Sequence, residues 1–281
     1  MIEERTAGSI GDLLKATKEI SSLWRPNIED PQELWYRGQS RGRKLLPSLY
    51  RPDVQRFHYD EPSLFGHFKS LAAPHTSSRP EDDWDWWFLA QHYGLPTRLL
   101  DWSHSLLAAA YFALCNGILK RDRLAVDAQL KLGPQPPVFD DESPVIWIMD
   151  AGTLNKFSWQ RDIVIYPRGA WAQRAALYLP SKKLAEHQDN RFPIALYAPR
   201  SNSRINAQQG TFTVHGSSQL SIDELANEPG SPIQLARITL DRANVVTLWD
   251  ELQLAGIGRL ALFPDLESVA MQVKWDLQSA N

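Results

Sequence analysis

The chain has 281 residues, 43% hydrophobic and 22% charged, with 15 Gly and 19 Pro, which is the composition of a folded protein and not of a disordered or collagen-like one. Thirty basic against 33 acidic residues leave a formal charge of −3, so bulk positive charge does not drive nucleic-acid binding. The single cysteine, Cys115, excludes an intrachain disulfide and every multi-cysteine zinc site.

The opening residues lack a basic stretch followed by an apolar run, and no eighteen consecutive apolar residues occur. The expectation is a cytoplasmic protein with no membrane partner. Ser9 is placed to cap a helix over 9–24, whose apolar positions Ile10, Leu13, Leu14, Ile20, Leu23 and Trp24 recur at near-helical spacing until Pro26. Leu34, Trp35 and Tyr36 predict a short strand ending at Arg37-Gly38. Leu64, Phe65, Phe68 and Leu71 mark a second helix, and the run from Trp84 to Tyr93 a third, closed by Gly94 with Pro96 beyond. The Ala- and Leu-rich run 106–119 predicts a fourth helix, with Asp101-Trp102-Ser103 offering caps ahead of it. Between 133 and 144, Pro134, Pro136, Pro137 and Asp140-Asp141-Glu142 predict a long loop.

The chain then changes character. Short β-rich runs are expected at 145–149, 163–166, 194–197, 211–214 and 234–240, with a helix over 171–178 between the second and third. Val245, Leu248, Trp249 and Leu252 form one helical stripe near the end, and Leu266, Val269, Ala270 and Val273 another. The expected fold is α+β: a helical N-terminal half packed with a mixed or antiparallel sheet in the C-terminal half, 145–281. The whole chain, 1–281, is read as a single compact unit without internal repeats.

Three clusters place polar side chains among apolar ones, where a buried polar group needs a defined partner. They are Trp35-Tyr36-Arg37-Gly38-Gln39-Ser40, the run from Leu89 to Trp102 that contains QHYGLPTRLLDW, and the run from Arg204 to Phe212. The first two resemble the FRG-domain family of bacterial proteins, named for an aromatic-Arg-Gly motif. Here Tyr36 fills the aromatic place, and the second motif is followed by an Ala-rich helix ending near Tyr111-Phe112-Ala113. The motif region is read as 27–125, and the tail segment from Gly256 to Leu266 is also similar to such proteins. The resemblance implies an accessory bacterial factor, such as a phage-defence or toxin protein, without implying a chemistry.

The residues themselves leave alternatives. Arg37 beside Gly38 suits phosphate recognition, because a guanidinium offers a planar donor fork and glycine admits a ligand to the backbone; equally, Arg37 can pair with Asp101 and tie elements together. His92 can act as a base near pH 7 with Gln91 orienting a ligand, or it can cap helix carbonyls while Thr97, Arg98 and Asp101 pin the turn. Arg204 and Gln208 are read on a loop entering a strand, where they contact the same ligand as Arg37 or satisfy backbone groups at a sheet edge. The basic window from Arg37 to Arg56 could dock a nucleic acid, although a solvated loop is the commoner meaning of such a charge run.

Conventional motifs are missing. There is no P-loop and no H-E-x-x-H, the scattered His residues make no helical metal pair, and G-x-G-x-x-A at 256–261 follows a helix instead of a strand. Asp101, Ser103 and His104 are triad types too close in sequence for triad geometry. Two functions remain open. One is an enzyme that uses NAD as substrate, similar to arginine-type ADP-ribosyltransferases or glycohydrolases, with Arg37 and His92 as catalytic residues and Tyr36, Gly38, Gln91, Arg98, Asp101, Arg204 and Gln208 as ligand-binding ones. Among Glu142, Glu186, Glu224 and Glu251, none stands in a motif that marks a catalytic carboxylate. The other is a non-catalytic recognition module that binds an anionic or nucleotide ligand, such as a small phosphate-containing molecule.

Overall fold

The computed structural model describes residues 2–26, 32–76, 80–115, 142–181, 184, 187–199 and 203–279. Among them, seven strands form one sheet: β1 (Glu3–Ala7), β2 (Leu34–Gln39), β3 (Leu99–Ser103), β4 (Val145–Asp150), β5 (Ile194–Leu196), β6 (Gly210–Val214) and β7 (Leu235–Leu240). Their order is β1-β7-β4-β2-β3-β6-β5. β1 runs parallel to β7 and every other neighbouring pair is antiparallel, so the sheet is mixed and the fold α+β. Three strands come from the first half of the chain, which is mixed helix and strand.

The helices are α1 (Ile10–Trp24), α2 (Pro52–Gln55), α3 (Glu61–Ala72), α4 (Asp83–His92), α5 (106–115), α6 (Ala151–Trp159), α7 (Ala172–Ala175), α8 (Ser203–Ala207), α9 (Ile222–Ala226), α10 (Val245–Leu254), α11 (Arg259–Leu262) and α12 (Leu266–Ser279). Ser9 caps α1 as its sequence suggests, its hydroxyl accepting the Asp12 N–H at 3.0 Å. α4 stops at Gly94, whose φ of 81° is the left-handed turn that glycine takes most readily, with the Leu95 N–H donating to the Ala90 carbonyl at 3.0 Å.

Several elements differ from expectation. β1 was not foreseen, and Asp101-Trp102-Ser103 belong to β3 instead of capping a helix; Ser105 supplies the cap, accepting the Ala108 N–H at 3.2 Å. The run 163–166 contributes only one bridge, Ile165 to Leu196, and 171–178 breaks into α7 flanked by two 3-10 turns. Arg204 lies on a short helix, α8, and not on a loop. Residues 116–119 of the fourth helix and most of the loop expected over 133–144 lie outside the described residues.

Strand alternation divides the core. Tyr36, Ile146, Ile148, Ala236 and Ile238 pack against α1, α5 and α10, whereas Trp35, Trp147, Met149 and Leu235 join Leu100 and Trp102 in a second cluster with α9. A third cluster sets Leu99, Leu196, Phe212 and Val214 against Trp84, Trp87 and Phe88 of α4. Gly38 lets α5 sit directly on β2: a Cβ there would lie 1.8 Å from the Ala109 carbonyl oxygen. One junction in the sheet is thin. β2 and β3 share a single ladder pair, Tyr36 with Ser103, while β2 pairs with β4 at six positions and β3 with β6 at five. Past that pair no further ladder pair joins the two strands.

Candidate functional site

The fork between β2 and β3 opens into a cleft of about 900 Å³. β2 contributes Arg37 and Gln39, the end of α4 contributes Gln91 and His92, β3 contributes Asp101 and Ser103, α5 contributes Tyr111 and Phe112, and α8 and α11 contribute Arg204 and Arg259. Among the described residues six arginines line it, Arg37, Arg41, Arg43, Arg51, Arg204 and Arg259, with one carboxylate, Asp101. That imbalance is local, since the whole chain is slightly acidic.

Arg37 bridges the fork. Its Nη1 donates to the Asp101 backbone carbonyl at 2.5 Å and lies 3.8 Å from the Asp101 carboxylate, while its Nε is buried without a partner. Burial lowers the Arg37 pKa to about 10; Arg51 adds to that and Asp101 opposes it. The guanidinium stays cationic at neutral pH but is under-compensated, a state that an incoming anion relieves.

Asp101 is 56% exposed, so its carboxylate faces the cleft rather than a closed core. Gln91 fixes it: Gln91 Nε2 donates to Asp101 Oδ2 at 2.8 Å, and the Gln91 amide oxygen accepts the Thr97 hydroxyl at 2.5 Å. The chain of three side chains determines which way the amide points. His92 is half-buried, and burial with the nearby Arg204 charge holds its pKa below the ordinary imidazole value, against the pull of Asp101. A neutral ring near pH 7 follows. Arg204 lies over the Phe263 ring at 4.3 Å and Arg259 over the same ring at 5.4 Å.

Of the residues singled out from sequence, Tyr36, Arg37, Gly38, Gln91, His92, Asp101, Arg204 and Gln208 all line this cleft. Arg98 does not. It is 1% exposed in the core, where Nε donates to Glu61 at 2.5 Å, Nη1 to the His215 carbonyl at 2.6 Å and Nη2 to the Tyr178 carbonyl, with the Trp87 ring beneath it. Gln208 also has a structural duty: Nε2 donates to the Leu262 carbonyl at 3.1 Å, and its own carbonyl accepts the Ser103 hydroxyl at 2.6 Å. Gly38 lines the cleft, but its missing side chain makes room for α5.

Phe112 is a half-buried cleft wall against Phe263, whereas Leu99, Leu100, Leu106, Ala109 and Ala113 are core. Glu224 pairs with Lys44, Glu251 accepts the Ile10 N–H, and Glu142 is exposed; Glu186 lies outside the described residues. Ser103, His104 and Asp101 form no triad, since the Ser103 hydroxyl serves Gln208 and His104 faces Glu33 at 3.8 Å. The roles of Arg259 and Phe263 were missed; the only signal was the tail segment that contains them. Among the described residues no group of His, Cys, Asp and Glu is placed to hold a metal ion, and no helix is long and apolar enough to cross a membrane.

The FRG-domain family model matches residues 32–122, about a third of the chain. The match runs from just before β2 past α5 and so includes Arg37, Gln91, His92 and Asp101, but not Arg204 or Arg259. Searches of curated proteins and of solved structures find no match.

Proposed function

We propose that the cleft binds NAD as a substrate and that the chain breaks its nicotinamide–ribose bond, by hydrolysis or by ADP-ribosyl transfer. The observation that carries this reading is the convergence of six arginines and one carboxylate on a single cleft of about 900 Å³. That is a volume suited to a dinucleotide, within the roughly 300–1,000 Å³ of small-molecule sites. Arg37, with its fork geometry and unpartnered Nε, takes phosphate oxygens. As the C1′–N bond breaks, its electron pair leaves with nicotinamide and neutralises the pyridinium. The positive charge left on the ribose faces Asp101, which Gln91 holds in place. Attack by water or an acceptor hydroxyl forms the C1′–O bond and releases one proton, which neutral His92 accepts. A role as a bacterial defence or toxin factor fits this chemistry.

Calorimetric titration of NAD, with chromatography of released nicotinamide, tests the reading. Arg37→Lys keeps the charge and loses the planar fork, so affinity falls by about 1.5–3 kcal/mol, the worth of a hydrogen bond to a charged group. Asp101→Asn lowers nicotinamide release about a hundredfold or more while NAD still binds. If wild-type protein binds no NAD at millimolar concentration, the reading is wrong. Binding without release leaves the non-catalytic module, a reading favoured by the contacts that Arg37 and Gln91 already make with Asp101.

A further inference from the structure

We propose that the cleft contains two anion subsites that share Asp101, so that it prefers to NAD itself a nucleotide of that class with a further, separate phosphate, as NADP has. This deepens the NAD reading and rests on it. The first subsite is Arg37 of β2 with Arg43 and Arg51 from the segment after it. The second is Arg204 of α8 with Arg259 of α11, two guanidiniums held over the one Phe263 ring at 4.3 and 5.4 Å.

Two like charges on one ring repel each other, and the acid paired with Arg259 compensates it weakly. Glu267 is 3.5 Å from Arg259 but 76% exposed, and the exposed Asp265 carboxylate accepts the Ser268 N–H at 2.7 Å. Solvated acids of this kind neutralise little. Arg259 Nε is buried with no partner, as is Arg37 Nε in the first subsite. The electrostatic couplings follow the same division. Arg51 disfavours the Arg37 cation, Arg43 disfavours Arg51 and Arg259 disfavours Arg204; Asp101 favours all three of Arg37, Arg51 and Arg204, joined by Asp53 at Arg51 and by Asp265 at Arg204. One carboxylate thus serves two cationic groups supplied by different elements. A pyrophosphate is one compact group and occupies one of them; filling the other takes a second phosphate. Arg204 and Arg259 lie outside the span matched by the family model, so the second subsite comes from the C-terminal half of this chain.

Two ligand pairs that differ by one phosphate test this by calorimetry at fixed ionic strength: NADP against NAD, and adenosine 3′,5′-bisphosphate against AMP. The added phosphate should tighten binding about tenfold or more in at least one pair, since a charge-assisted contact is worth that much. Arg259→Gln should collapse the ratio within that pair toward unity, and Arg204→Gln provides a second variant should the first not fold. No gain in either pair while NAD binds, or a gain that survives both substitutions, overturns the two-subsite proposal and leaves the NAD reading standing. Failure of all four ligands to bind at millimolar concentration sinks both.

Discussion

Replacing Arg98 with methionine separates a core role from a ligand role for the second arginine of the motifs. The side chain is 1% exposed and its partner Glu61 11%, so deleting the guanidinium leaves a carboxylate buried without its counter-ion. Breaking a buried pair in this way costs about 3–5 kcal/mol. The Tyr178 and His215 carbonyls also lose their donor, at roughly 1–3 kcal/mol for each that stays unpaired. The combined loss is of the same order as the roughly 5–15 kcal/mol total stability of a folded domain, so the variant should sit near its unfolding threshold. Urea unfolding followed by tryptophan fluorescence measures the loss. The double variant Arg98→Met/Glu61→Leu removes the stranded charge and should recover about half of it, the remainder belonging to the two carbonyls. Nucleotide affinity of the folded fraction should match wild type, because Arg98 lies outside the cleft. Stability reduced by less than about 1 kcal/mol, the size of an exposed pair, or intact stability with lost binding, would refute the reasoning.

His215 is buried with neither ring nitrogen partnered, and burial together with Arg98 lowers its pKa to about 3. Below the unfolded value of 6.5 the unfolded chain takes a proton that the native one refuses, so stability falls as pH drops from 6.5 toward 3, by up to about 1.4 kcal/mol per pH unit. His215→Phe should flatten that slope in urea melts across the range, and equal slopes would show that His215 does not carry it. Gly38→Ala puts a Cβ 1.8 Å from the Ala109 carbonyl oxygen and forces α5 off the sheet, at a cost of about 1–3 kcal/mol or more; an unchanged melting temperature would contradict so close an approach. Glu224 is held at a pKa of about 2, first by Lys44 and then by Ser221, so its contribution is present above 4.5 and disappears as pH falls through about 2. Because the pair is exposed, Glu224→Gln should cost no more than about 1 kcal/mol at neutral pH and nothing in strong acid, as read from thermal melts at both.

Where local patterning and tertiary packing agree, the sequence is legible. Ser9 and its apolar repeat place α1, Gly94 ends α4, and β-branched runs place β6 and β7. β1 is hidden because EERTA is a polar edge strand whose partner, β7, lies more than two hundred residues away in sequence. β3 is obscured because Asp and Ser at its end read as helix caps. Spacing also does not tell Arg37 from Arg98: one lies within β2 and the other just ahead of β3, both in distinctive motifs, and only the register and the position of Glu61 turn one toward the cleft and the other into the core. The acid suited to the cleft, Asp101, stands inside the second motif, where its pairing with Arg37 and its exposure to the cleft are both real.

Mechanically, the sheet consists of two leaves, β1-β7-β4-β2 and β3-β6-β5, joined by one rung. Arg37 acts as a clip across that seam, rooted in one leaf and holding the backbone of the other through the Asp101 carbonyl. An anion that engages the same guanidinium would compete with that carbonyl, so the expected response to cleft occupancy is a loosening at the seam. The amides of Tyr36 and Ser103, at the rung itself, are where such a change registers first in hydrogen exchange.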